Sequence, residues 1–325
     1  MAQQRPNSRM KRVRAMLEIA AGVYPERMLE LGVGLDINIH SSKEEDNIFP
    51  PLRFGVHGEL MGGMKAPIEV GKRRVDVSHV NPSVIATMCY RGKGYYKEAL
   101  PLRALACFPS WDRIAFVVSR ELGLRSLREV VENKIPLKVS TRATGIDNTT
   151  AYAITTIMSL YGLTFTKIKR WGGQVDECAH PSSPKRIESI RARTVDAVFD
   201  EGLSTKWLEA ALENGYEVLH LDEDVIAGME DLGFKRSVIP KRRFPGMQED
   251  ARTVDFSGWP VITHKWLSDD MAYSLCQAIY RRRRDIPVDA PRLNVRQACR
   301  DTDAGPLGIP LHPGAQRFYE DMGFL

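Results

Sequence analysis

Four short polar stretches carry the residues of this chain that could do chemistry, and each follows an apolar run. Asn81, Pro82 and Ser83 follow "VDVSHV"; Pro109, Ser110, Trp111 and Asp112 follow "LRALACF"; Thr141, Arg142, Ala143, Thr144 and Gly145 follow "LKVS"; Asp200, Glu201 and Gly202 follow "VDAVF". In open α/β sheets ligands bind beyond the carboxyl ends of the strands, so these four loops are the candidate positions. The third is chemically the richest. It joins the hydroxyls of Ser140, Thr141 and Thr144 to the guanidinium of Arg142, just ahead of a helix start. Free N–H groups and a partial positive charge at such a start suit an anion, most simply a carboxylate. The competing reading is that Ser140, Thr141 and Asp147 cap the helix and Arg142 is a solvated charge. Asp200 and Glu201 offer acceptors for a ligand amine or hydroxyls, or else cap the next helix. Trp111 offers a flat face for stacking, or is a packed tryptophan with no such role.

Catalytic signatures are missing. No P-loop, no complete dinucleotide fingerprint around "LGVGLD", no G-x-S-x-G and no H-E-x-x-H occurs, so no cofactor is expected. Seven histidines are dispersed, and His79, two residues before Asn81, is the one near a candidate loop; a structural histidine is the alternative. Cys178 and His180 are close in sequence but no second pair stands at metal-ligand spacing, so no metal is expected. Five widely scattered cysteines argue against a disulfide framework. The net charge is +5, with local clusters at Arg281 to Arg284 and Lys241 to Arg243, and the first of these reads as a solvated helix end. No zinc-finger spacing or aromatic RNA-binding pattern accompanies them, which excludes a nucleic-acid partner.

The elements that must position these loops alternate between short apolar runs and amphipathic segments. The reading places strands at 16–22, 74–80, 102–108, 113–119, 137–140, 166–171, 195–202 and 216–221. It places helices around 59–71, 127–132, 154–161, 183–193 and 203–213. An extended segment at 253–264 then leads into a helix capped by Ser268. This order predicts an α/β protein with mainly parallel sheets, and a length of 325 residues predicts two lobes. The run Ala15 to Val23 is interrupted by Glu18 and is too mixed for a secretory signal, and no apolar stretch reaches about 18 residues. On these patterns the chain reads as soluble and unexported.

Three longer stretches carry a family resemblance: "GKRRVDVSHVNPSVIATMCYRGKG", "LRALACFPSWDRIAFVVSRELGLRSLREVVENKIPLKVSTRATG" and "IPLHPGAQRFYEDMGFL". Together they resemble the TAXI-type solute-binding proteins of TRAP transporters. The resemblance implies a two-lobed type II periplasmic-binding-protein-like fold, each lobe a mixed, mainly parallel sheet flanked by helices, with the ligand cleft between them. Lobe I would comprise 1–118 with 257–325 and lobe II 119–256, with hinge strands near 108–118 and 250–264. It implies that the closing stub packs on the first lobe, that the ligand is a small organic anion such as a carboxylate, and that TRAP membrane subunits receive it. It also implies a periplasmic location, against the unexported reading above. On this view the loop of Ser140, Thr141, Arg142, Thr144 and Gly145 binds the ligand, faced by Asn81, Ser83, Trp111, Asp200 and Glu201. Gly22 and Tyr24 would be remnants of a glycine-rich first loop. Two alternatives keep the fold and change the use. One is a cytoplasmic enzyme, for example a decarboxylase, with His79, Asp112 or Asp200 as acid–base groups; the other is a cytoplasmic ligand sensor.

Overall fold

The computed structural model describes residues 8–23, 28–31, 36–40, 52–55, 63–144, 148–202, 205–288 and 292–325. The chain begins with α1 (Ser8–Val23), β1 (Met28–Leu31), β2 (Asp36–His40), β3 (Leu52–Gly55), α2 (Ala66–Gly71), β4 (Val77–His79), α3 (Ser83–Arg91) and β5 (Leu102–Phe108). Next come β6 (Ile114–Ser119), α4 (Leu127–Glu132), β7 (Lys138–Arg142), α5 (Thr149–Leu160), α6 (Phe165–Arg170), β8 (Gln174–Cys178), α7 (Pro184–Arg191) and β9 (Ala197–Glu201). They are followed by α8 (Thr205–Glu213), β10 (Tyr216–Val218), α9 (Glu223–Leu232), β11 (Arg236–Ile239) and β12 (Ala251–Val254). The last elements are β13 (Trp259–His264), α10 (Asp269–Arg281), α11 (Val295–Ala298) and α12 (Pro313–Asp321).

Two α/β units result. The first holds the described residues up to Trp111 together with Ser257–Leu325, and the second is Asp112–Phe256. The first unit's sheet runs β1-β2-β3-β4-β13-β5, the second's β10-β6-β9-β7-β8, and β11 pairs with β12 as a small ribbon. Both main sheets are mixed. Parallel ladders join β3 to β4, β7 to β8 and β7 to β9, and the other pairings are antiparallel. Alternation of strands and helices suggested more parallel pairing. The strand β13 returns late in the chain and inserts antiparallel between β4 and β5, a crossing that local pattern does not reveal.

Two stretches read as strands are helical. Residues 16–22 lie within α1, where Met16, Ile19, Ala20 and Val23 recur at helical spacing and are all buried. They join one core with Ala272, Leu275 and Ile279 of α10, and Glu18 pairs with Arg282. Gly22 permits this approach, since a Cβ there would stand 2.8 Å from Arg282 Cγ. Residues 166–171 fall largely in α6. Thr164 caps that helix by accepting from the Lys167 N–H at 3.1 Å, and the strand proper begins only at Gln174, beyond Gly172 and Gly173. The alternation of "TKIKRW" imitates a strand because one apolar residue, Ile168, faces the core.

The C-terminal stub is a part of the first unit's core. His312 caps α12, its Nδ1 accepting from Gly314 N–H at 3.2 Å, and Gly314 lies so close to the Asp269 carbonyl that a Cβ would collide with it. Phe318 and Tyr319 are buried, and the Tyr319 hydroxyl donates to the Leu105 carbonyl at 2.7 Å. The stub docks on α10 and β5 and presents no free chemistry. Among the described residues no helix is long and apolar enough to cross a membrane.

Candidate functional site

In the second unit, parallel pairing of β7 with β9 sets Thr141 opposite Phe199 and so brings the ends of both strands together. Their terminal side chains form a buried charged cluster. Arg142 donates from Nη2 to Asp200 Oδ1 at 2.8 Å and from Nε to Oδ2 at 3.4 Å, and Nη2 stands 3.0 Å from Glu201 Oε1. A second guanidinium, Arg186 of α7, is fully buried. It donates from Nε to Ser140 Oγ at 2.9 Å and from Nη1 to the Pro181 carbonyl at 3.0 Å, and Nη1 also pairs with Asp200. Asp200 further accepts the Glu201 N–H at 2.7 Å, while Glu201 Oε2 accepts from the Thr150 hydroxyl at 2.8 Å. Two cations thus meet two anions, the condition under which buried charge is tolerated. Burial works against the Arg142 charge, but Glu201 and then Asp200 outweigh it and raise its pKa.

This arrangement settles how the third loop's residues are used. Arg142 turns inward onto Asp200 and Glu201, and is no freely solvated charge. Ser140 and Thr141 are fully buried, Thr141 donating to the Phe199 carbonyl at 3.1 Å. The cap of α5 is Asn148, whose side chain accepts from Ala151 N–H at 3.0 Å, and not Ser140 or Thr141. Thr144 binds Glu177 through its N–H at 3.1 Å and its hydroxyl at 2.9 Å, away from Asp200. Gly145 and Tyr24 lie outside the described residues. Arg186 escaped sequence reading, yet a signal was present: α7 buries Arg186 and Ile190, an i, i+4 pair, so the arginine sits on the helix's inward stripe.

The first unit holds the other candidates. Asn81 precedes Pro82 through a cis peptide bond at the start of α3. Ser83 is buried, with Oγ 3.4 Å from Cys107 Sγ and its N–H donating to the Ser257 carbonyl at 3.0 Å. Trp111 is the last residue of this unit and is partly exposed. Asp112 opens the second unit and is buried, its Oδ1 accepting from Arg113 N–H at 2.7 Å.

His79 is buried at the end of β4. Its ring centroid lies 6.0 Å from that of Trp259, and burial, helped by Arg12, pushes its pKa down to about 3. A ring so reluctant to take a proton is a poor general base near neutral pH. The buried histidine–carboxylate pair of this unit is instead His264 with Asp76, 3.2 Å apart, and Arg53 also grips Asp76 at 3.1 Å. It joins the residue before β4 to the last residue of β13, at the other end of β4 from His79. Among the described residues no group of three His, Cys, Asp or Glu side chains is arranged to hold a metal ion.

Comparison with solved structures returns matches at low identity. A structure of XAC2383 from Xanthomonas citri bound to chloride aligns over 79% of this chain and 79% of that one, with 10% identity and a TM-score of 0.42. A TctC solute-binding protein from Polaromonas aligns over 77% and 78%, with 10% identity and a TM-score of 0.38. PhnD1 from Prochlorococcus marinus, in complex with methylphosphonate, aligns over 81% and 84%, with 10% identity and a TM-score of 0.33. The family relationship rests on sequence: a family model matches residues 59–323, a span that contains both described strand-end clusters from β4 to β13, and the chain belongs to the NMT1-like family.

Proposed function

We propose that this chain is a solute-binding protein for a small organic anion, a carboxylate in the simplest case, and that it presents the ligand to the membrane subunits of a TRAP-type transporter outside the cytoplasm. One observation carries the ligand assignment. Asp200 and Glu201 engage Nε and Nη2 of Arg142, so the guanidinium is aimed by two carboxylates while Nη1 is left over at the end of β7. A carboxylate meeting that nitrogen gains a charge-assisted hydrogen bond in a partly desolvated setting. Arg142 is then a ligand-contacting residue, and Asp200, Glu201 and Arg186 are positioning residues that hold it. Resemblance to TAXI-type proteins supports the transport role.

The test is a thermal-unfolding screen of the full chain against amino, dicarboxylic, hydroxy and aromatic acids. A ligand that binds only the folded protein raises Tm by mass action. The expected result is a hit recovered chemically unchanged and lost in Arg142→Lys, which keeps the charge but not the fork geometry. Consumption of the hit would transfer the site to an enzyme; failure of every acid would remove the anion reading.

A further inference from the structure

Six arginines crowd one end of the first unit with no carboxylate to meet them. Arg281 closes α10, Arg283 and Arg284 follow it, and Arg292, Arg296 and Arg300 stand in and around α11. All but Arg283 are exposed, and among the described residues none of the six makes an ion pair. The nearby acids are engaged elsewhere. Glu18 and Asp285 both pair with Arg282, and Asp301 accepts the Leu307 N–H at 2.8 Å.

Contacts tie these arginines into one surface. Arg283 sets its guanidinium 4.2 Å from the Tyr280 ring centroid and donates to the Tyr280 carbonyl at 2.6 Å. The Leu293 N–H donates to the Arg283 carbonyl at 2.9 Å, which brings Arg292 alongside. The Tyr280 and Phe324 rings are 5.9 Å apart. Arg296 stands 5.6 Å from the Phe324 ring and donates to the Gly323 carbonyl at 2.9 Å, while Arg300 Nε donates to the Phe324 carbonyl at 2.9 Å. A helix C-terminus is complemented by cations in its last turn, which accounts for Arg281 and Arg284 but not for arginines brought up from α11. Backbone carbonyls cancel no charge, so these neighbouring cations repel one another within about a Debye length.

An extended anion fits such a surface, and a guanidinium fork matches phosphate oxygens two at a time. Tyr280 and Phe324 pack against the core on one side and meet arginines on the other, which leaves little apolar area for the centre of a protein interface or for stacking on bases. We propose that the end of α10, α11 and the segment around Phe324 hold the first unit against an anionic phospholipid bilayer, guanidinium to phosphate, with no segment entering the hydrocarbon. A cluster of this size suffices, because each arginine near an anionic membrane surface strengthens binding roughly fivefold. The proposal goes beyond the solute-binding reading and does not depend on it.

Vesicle flotation of the full chain tests it with two compositions, phosphatidylcholine alone and phosphatidylcholine mixed in equal parts with phosphatidylglycerol. Binding is expected only to the mixture and should weaken steeply as salt is raised. Arg281 and Arg284 make no hydrogen bond or ion pair among the described residues, so Arg281→Gln with Arg284→Gln keeps the fold. Its affinity for the mixture is expected to fall about 25-fold. Arg170→Gln with Arg191→Gln removes the same charge from exposed positions at the ends of α6 and α7 in the second unit, and it is expected to leave the affinity within about twofold. Failure to float with the anionic vesicles, equal binding to the neutral ones, or an equal loss in the two double variants overturns the proposal. So does tighter binding to double-stranded DNA than to the vesicles at the same salt, which assigns the surface to nucleic acid. None of these outcomes touches the carboxylate reading, which the acid screen tests separately.

Discussion

The strand ends of the two units solve burial in opposite ways. In the second unit Arg142 and Arg186 meet Asp200 and Glu201, so the charges balance at the ends of β7 and β9. In the first unit His79 closes β4 and Trp259 opens the antiparallel β13, two neutral rings with nitrogens left over. Uncompensated charge in a core costs far more than an unpaired neutral donor or acceptor. A charged strand end must therefore be balanced by the chain itself, while a neutral one can keep an unpaired nitrogen.

Removing one member of the charged cluster should break that contrast most severely. Asp200→Ala takes from Arg186 the carboxylate it pairs with and leaves Arg142 with Glu201, and it is expected to cost about 3–5 kcal/mol, read from urea unfolding midpoints. A loss below about 1 kcal/mol would show that the cluster is not the closed unit described here.

Acid should act on the neutral end. His79 has a folded pKa of about 3 against an ordinary value of 6.5, so the unfolded chain binds the extra proton between those limits. The stability tied to this shift is fully present above pH 6.5 and is lost as pH falls toward 3, on the order of 5 kcal/mol over the window. His79→Gln should flatten the stability curve there. Asp76 gives a separate signal. Burial opposes its charge, but His264 and Arg53 outweigh that and lower its pKa, so its contribution is lost only below its ordinary value of 3.8.

The cap of α12 in the first unit sets a smaller scale. His312→Ala removes the α12 cap and should cost about 1 kcal/mol, whereas His312→Asn should restore most of it, with amide exchange in 313–321 as the readout. The smallest effect is expected at Trp259→Phe, within about 1 kcal/mol of the parent, because the volume lost is offset by deleting an unsatisfied buried donor. A larger loss there would mean that the indole N–H already has a partner.

Elements governed by near neighbours in the chain were readable. Ser268 accepts from Met271 N–H and starts α10 where the pattern placed it, and the strands at 102–108 and 114–119 coincide with their apolar runs. Arg142, Asp200 and Glu201 were legible as strand-end residues, though not as partners of each other. The failures share a cause. Short segments such as 16–22 and 166–171 hold too few apolar residues to separate a helical period from a strand period. Arg186 was passed over because a charged residue on an inward stripe makes sense only once its carboxylate is known.

The amino-acid sequence by itself determined the caps, the apolar periods, the α/β alternation and the polar loops after the strands, because these depend on residues within about one helical turn of one another. Only the tertiary structure decided which side chains those loops bring together. Arg142 and Asp200 are 58 positions apart and meet because β7 pairs beside β9; His79 and Trp259 meet because a strand from the end of the chain returns between β4 and β5. Strand order is set by burying whole sheet faces at once, a sum over the entire core that no local stretch of sequence contains.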